Sequence, residues 1–313
     1  MPQPTIPTID ISPYLLGTAE QGKLVVNDIR KACEEIGFFI ITGHQVSTTL
    51  MAEMAEAGQT FFDLAQEEKQ QIPASGLIQG GVTYVPFAVE KLAATRGAET
   101  PGDLKESLNF GRRLDGAAWP DDSADLMQTI HQYFDAMTEL SCHIRAIFAT
   151  AIGLPTDFFE EAFVDCTSAV RLLNYPAQSS APQLGQLRAG AHSDYGFLTI
   201  LRTDDSPGGL QVQHRDGQWL DVPTIPSSFV VNIGDVMMRW TNDHWVSTLH
   251  RVVNPPTVVR RSSQRQSIAF FLNPKPEAEI RCLEAFCSNE NPAKYPPIRW
   301  RDYIAEKSRA AGV

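Results

Sequence analysis

"AHSDYGFLTIL", residues 191–201, decides how this chain is read. Its second half, from Phe197 to Leu201, is apolar and reads as a β-strand, while its polar start sets a histidine and an aspartate two positions apart. Taken as one strand, His192 and Asp194 share a face and Ser193 turns away. A carboxylate carried into a layer apolar enough to be buried costs free energy unless a partner compensates it. A second histidine stands at His250, in "STLHRV".

Two histidines and one carboxylate can face one side of a divalent metal and leave the opposite positions open, the ligand set of non-haem iron(II) oxygenases. A His-X-Asp pair by itself more often belongs to ordinary surface or core structure. Five further histidines (His44, His131, His143, His214 and His244) show that the residue is not rare here. An independent feature has to point the same way, and "RQSIAFFLNP", residues 265–274, supplies it. Alternation puts Arg265, Ser267, Ala269 and Phe271 on one face. An arginine aimed into a barrel needs an anion, and its planar fork matches a carboxylate bidentately. With the Ser267 hydroxyl, and Tyr175 of "RLLNYP" as a third donor, the far carboxylate of a dicarboxylic acid has a seat. Arg171 lies four residues before Tyr175 and shares its face, either as a contact to a bound ligand or as half of an ion pair.

Composition narrows the class. The chain has 313 residues, 43% hydrophobic and 20% charged, with a formal net charge of −11. That balance fits a globular enzyme and argues against nucleic acid or an anionic membrane surface as partner. "MPQPTIPTIDISPYLLG" has no basic stretch before an apolar run and does not read as a secretory signal. The apolar run "IGFFIITG" is too short to cross a bilayer. Cys33, Cys142, Cys166, Cys282 and Cys287 are odd in number and scattered, which suits free thiols in a cytoplasmic protein.

Along the chain, helical spacing predicts a helix over residues 20–35 ended by Gly37, a short strand at "FFIITGH", and a second helix over 47–70. Residues 72–113 read as loops with short strands, and 123–152 as a long helix. From about residue 169 come short β-rich runs between turn residues, the pattern of a sandwich or barrel. No linker separates the halves, so one composite domain over 1–313 is expected. It comprises a mostly helical region over 1–165, a β-rich core over 166–290 and a C-terminal segment over 291–313.

The ordered set "AHSDYGFLTIL", "GGLQV", "NIGDVMMRWTND", "STLHRVV" and "RQSIAFFLNP" resembles the iron(II)/2-oxoglutarate-dependent dioxygenases, most closely the isopenicillin N synthase-like branch. "IPTIDIS", "EEIGFFIITGH" and "DLKESLNFG" are similar to that branch's leading region, so the likeness covers nearly the whole chain. The resemblance implies a mainly β fold with α, a double-stranded β-helix (jelly-roll) core flanked by N-terminal helices. It implies Fe(II) on His192, Asp194 and His250, and 2-oxoglutarate on Arg265, Ser267 and Tyr175. A rival Arg-X-Ser pair, Arg260 with Ser262, sits nearer His250, in a polar stretch that reads as a solvated turn rather than as a strand.

The same resemblance implies the reaction: O₂ and 2-oxoglutarate give succinate and CO₂ while a small organic metabolite is oxidised, by hydroxylation or else by desaturation or ring formation. Phe271, with Phe110, Phe197 and Arg171, is a candidate lining for the substrate pocket. Secondary metabolites, flavonoid-like rings and pyrimidines are all open as substrates. An oxidase of the isopenicillin N synthase type that uses no 2-oxoglutarate shares these motifs, and a non-catalytic ligand-binding jelly roll is a further alternative. Asn232, Gly234 and Asp235 read as a tight turn between strands, and Asp243 and His244 as rim residues. Oligomeric state is not legible.

Overall fold

In the computed structural model, which describes residues 5–73, 81–112, 124–178, 180–204, 206, 209–256 and 263–311, strands and helices fall into distinct layers. The strands are β1 (Thr8–Asp10), β2 (Phe38–Thr42), β3 (Val82–Val85), β4 (Glu106–Gly111), β5 (Ala169–Tyr175), β6 (Ala189–His192) and β7 (Leu198–Thr203). They continue as β8 (Leu210–Gln213), β9 (Trp219–Asp221), β10 (Phe229–Ile233), β11 (His250–Val252), β12 (Arg265–Leu272), β13 (Glu279–Ile280) and β14 (Ile298–Arg299). The helices are α1 (Ser12–Leu16), α2 (Ala19–Glu35), α3 (Thr48–Phe62), α4 (Gln66–Lys69), α5 (Ala124–Ala151), α6 (Glu160–Phe163), α7 (Asp235–Trp240) and α8 (Trp300–Ala311).

A major sheet runs β1-β2-β10-β7-β12-β5-β4-β3, and a minor sheet runs β6-β11-β8-β9. The two sheets together form the jelly roll. Four of the eight major strands come from residues 1–165, so the helical region also supplies both flanks of this sheet.

Period-two alternation gives the major sheet two faces. Phe39, Ile41, Leu108, Val170, Leu172, Ile200, Val231, Ile268 and Phe270 turn outward into one apolar cluster with α2, α3 and α5. Phe38, Ile40, Leu173, Tyr175, Val230 and Ala269 turn inward toward the minor sheet's Leu210 and Val212. Burying each large apolar side chain contributes about 1.5–3 kcal/mol. The lumen is therefore walled by apolar residues and furnished by the few polar ones that share its parity.

Local signals explain the helix ends. Thr18 and Gln21 form a reciprocal capping box at the start of α2. Past its end, Gly37 has φ +69°, and a Cβ there would meet the Val246 carbonyl oxygen at 2.0 Å, so only glycine fits. The single helix expected over 47–70 is instead two, α3 and α4. Ala65 is extended (φ −59°, ψ 148°), and its N–H is taken by the Glu68 carboxylate at 3.0 Å, which starts a new turn.

Candidate active site

Two histidines of the lumen come together where β6 and β11 pair. His192 and His250 are direct cross-strand partners. Their ring centroids lie 4.3 Å apart. Asp194 joins them from outside the strand: β6 ends at His192, and Asp194 sits in the 193–197 connection that crosses to the major sheet. This corrects the expectation that one strand face presents both residues. The connection is sutured instead to the junction at Gly234, where β10 passes directly into α7 rather than turning to another strand as expected. Asp235 N–H donates to the Asp194 carbonyl (2.8 Å), Gly234 N–H to Phe197 (3.0 Å) and Val236 N–H to Gly196 (3.1 Å). A Cβ at Gly234 would lie 2.2 Å from the Gly196 carbonyl oxygen, which explains the glycine by close approach.

One donor atom from each of His192, Asp194 and His250 lies within 4.8 Å of the others. Asp194 Oδ1 is 3.6 Å from His250 Nε2 and 3.9 Å from His192 Nε2. Each imidazole donates through Nδ1 to a backbone carbonyl, His192 to Gly190 (2.8 Å) and His250 to Thr248 (3.1 Å). That leaves both Nε2 lone pairs turned to the common centre, the tautomer a metal requires. Burial, with His250 beside it, depresses His192 to about 3, so its ring is neutral at physiological pH. Burial opposes ionisation of Asp194, but His250, His192 and hydrogen bonds from Asn232 and Thr199 outweigh it and hold the carboxyl below its usual range. Two imidazoles and one carboxylate, buried together, fit a divalent transition metal.

Sequence reasoning missed two supports of this centre. Asp194 Oδ2 accepts from Thr199 Oγ1 (2.5 Å) and Asn232 Nδ2 (2.7 Å). Both have the inward parity of β7 and β10, which was a signal available in the alternation of those strands.

Behind the triad, β12 and β5 furnish the anion seat. Arg265 is 3% exposed and pairs across strands with Tyr175. Its guanidinium lies 4.9 Å from the Tyr175 ring centre, and Nη1 reaches Ser267 Oγ at 3.4 Å. These three residues line an inner cavity of about 70 Å³ together with His192, Asp194 and His250. The rival residues Arg260 and Ser262 lie outside the described residues.

An outer cavity of about 140 Å³ adjoins the inner one at His192 and Asp194, sharing Arg171 and Phe271 with it and lined further by Glu90 and, from α8, Trp300 and Ile304. The C-terminal segment thus caps the chamber. It is docked where Asp235 accepts from Tyr303 Oη (2.6 Å) and pairs with Lys307 (3.2 Å). Phe271 and Arg171 face the lumen as alternation required. Phe110 and Phe197 do not. Phe110 has the outward parity of β4 and is wholly buried on the helix side. Phe197 precedes β7, and the crossing turns it into an aromatic cluster with Phe148, Phe159, Phe163 and Trp240. Asp243 binds Lys294 and Tyr295, and His244 approaches Glu34, so neither joins the site.

Residues 166–274 match the 2OG-Fe(II) oxygenase superfamily. Residues 6–135 match the "non-haem dioxygenase in morphine synthesis N-terminal" region. The 2-oxoglutarate-Fe(II) type oxidoreductase hxnY of Emericella nidulans is 33% identical, over 96% of this chain and 89% of that protein. A homoarginine-6-hydroxylase of Glycine max is 32% identical, over 92% of this chain and 91% of that one. A full-length Neurospora crassa protein, solved in complex with alpha-KG and thymine, superposes with a TM-score of 0.85 at 30% identity, covering 98% of this chain and 96% of that chain. With likeness of this extent in sequence and in fold, the chain belongs to the 2OG-Fe(II) oxygenase superfamily and is a 2-oxoglutarate-dependent dioxygenase.

Proposed function

We propose that His192, Asp194 and His250 hold Fe(II), and that Arg265, with Ser267 and Tyr175, holds the C5 carboxylate of 2-oxoglutarate. A small organic metabolite in the outer chamber is then hydroxylated while 2-oxoglutarate leaves as succinate and CO₂. The observation carrying this reading is that the two cavities meet at the triad. His192 and Asp194 line both, Arg265 only the inner one, and Trp300 and Ile304 only the outer one. Co-substrate and substrate thus reach one centre from separate sides.

Iron held this way supplies the oxidising power for the C–H bond, together with O₂ and 2-oxoglutarate. The chain's own residues do the positioning. The Nδ1 donations to Gly190 and Thr248 aim both imidazoles. Thr199 and Asn232 hold one Asp194 oxygen so that the other faces the centre. Arg265 offers the planar fork that fixes a carboxylate in one orientation. Phe38, Leu201, Leu210 and Val252 wall the inner cavity and exclude water, which strengthens every charge interaction within it. The names of the relatives, one a homoarginine hydroxylase and one crystallised with thymine, support a small polar substrate. Among the described residues no helix is long and apolar enough to cross a membrane. A net charge of −11 supports a small molecule over nucleic acid as partner, and five free cysteines support a reducing, cytoplasmic setting.

The test is Arg265→Met, assayed for succinate released per substrate consumed. The variant is expected to raise the KM for 2-oxoglutarate by about 100- to 1,000-fold, from stranding a buried charge partner, with Fe(II) affinity kept. An unchanged KM, or substrate loss in the native protein without succinate, overturns the assignment.

A further inference from the structure

A charged cluster stands where the two cavities adjoin: Glu90 lines the outer one, Lys105 the inner one and Arg171 both. Arg171, on the lumen side of β5, donates through Nε to Asn109 Oδ1, and through Nη1 to Glu90 Oε1 at 3.1 Å and Oε2 at 3.4 Å. Glu90 is 4% exposed and also takes the Lys105 ammonium. Burial opposes its ionisation, but Arg171 and Lys105 hold the carboxyl far below the usual range. The guanidinium of Arg171 is thus held through Nε by Asn109 and through Nη1 by Glu90. Among the described residues no partner takes the two N–H groups of Nη2, and Arg171 lines the chamber. A carboxylate accepts up to about four hydrogen bonds, so Glu90 retains acceptor capacity beside those donors.

Charge decides what this edge can bind. Glu90 and Asp103 face Lys105 and Arg171, two formal charges of each sign. A cationic group would find Glu90 already committed to two cations. A carboxylate drawn to Arg171 would meet Glu90 at close range, where like charges repel strongly in a site shielded from water. A neutral group satisfies both partners when it presents a carbonyl oxygen to Nη2 and, beside it, an N–H to the Glu90 carboxylate. That juxtaposition is the edge of a lactam or cyclic imide. Phe271, whose ring centre is 5.8 Å from the Arg171 guanidinium, and Leu92 add flat apolar wall suited to a ring.

Resting on the iron and 2-oxoglutarate reading above, we infer that Arg171 and Glu90 are the specificity-determining pair of the outer chamber. The substrate is a neutral ring with a lactam or imide edge, its C=O accepting from Arg171 and its N–H donating to Glu90. Asn109 acts through Arg171 as a positioning residue.

The experiment uses the full-length protein loaded anaerobically with Fe(II) and 2-oxoglutarate, following the visible charge-transfer band of the chelate. Thymine, 2-pyridone and glutarimide are titrated in, then their N-methylated forms, with benzoate and homoarginine as charged competitors. At least one lactam or imide is expected to perturb the band, and N-methylation to weaken it by about 10- to 100-fold, the cost of one unpaired buried polar group. In Arg171→Lys, which keeps the charge beside Glu90, and in Glu90→Gln, the band persists but the discrimination against N-methylation collapses. A panel without effect overturns the inference, as does equal binding of N-methylated probes or preference for benzoate or homoarginine. Absence of the band in the native protein would instead overturn the metal and co-substrate assignment, and this inference with it.

Discussion

Asn232→Ala and Thr199→Val each delete one of the two hydrogen bonds that orient Asp194. In the native protein Oδ2 accepts both, at 2.7 Å and 2.5 Å, and Oδ1 is left 3.6 Å and 3.9 Å from the two imidazole Nε2 atoms. With one bond gone the carboxylate can rotate about Cβ–Cγ, and metal binding has to restore the lost orientation. A hydrogen bond to a charged group contributes about 1.5–3 kcal/mol, and 1.4 kcal/mol is tenfold in affinity. Each variant is therefore expected to bind Fe(II) about 10- to 100-fold more weakly, the range typical when a group supporting a metal ligand is removed. Because both donors share one acceptor oxygen, the double variant is expected to fall short of the product of the single effects. Anaerobic competition against a chelator measures the Kd, and thermal melts of the metal-free proteins separate loss of fold from loss of metal. At saturating iron the KM for 2-oxoglutarate stays native, since Arg265 is untouched. Kd values within twofold of native in both single variants and in the double would refute the reasoning.

Two further outcomes bear on residues whose roles the structure redefines. Phe197→Ala is expected to lower stability by about 3–5 kcal/mol, the cost of an aromatic cavity, with substrate preference unchanged; altered preference would return Phe197 to the pocket. Burial pushes Asp103 up to about 6, although Lys105 and the backbone N–H groups of Leu92 and Gly190 favour its charged form. The folded state then binds the extra proton between about pH 4 and 6, so this group's contribution to stability falls as pH rises through that window and is level above it. The difference in Tm between native and Asp103→Asn, followed from pH 4 to 7, is expected to track that fall. A flat difference would count against a raised Asp103.

Residue chemistry and strand parity were legible in the chain alone. His192, Asp194 and His250 are named by their ligand types, and Arg265, Ser267 and Phe271 by a period of two that is local to one strand. Tyr175 and Arg171 follow from the same parity in β5, which the structure pairs with β12. Tertiary structure decided where alternation stops. β6 ends at His192, so Asp194 reaches the centre from a connection held by the backbone around Gly234, and Phe197 turns outward despite its numbering. It also decided the partners. Nothing local marks Glu90 as a pocket residue, since a glutamate in a loop reads as solvated until Arg171 and Lys105 fold against it. The physical reason is the same throughout. Which side of a strand a residue takes depends on its neighbours in sequence. Which side becomes a lumen, and what lies across it, depends on pairings such as His250 with His192 between segments far apart in the chain.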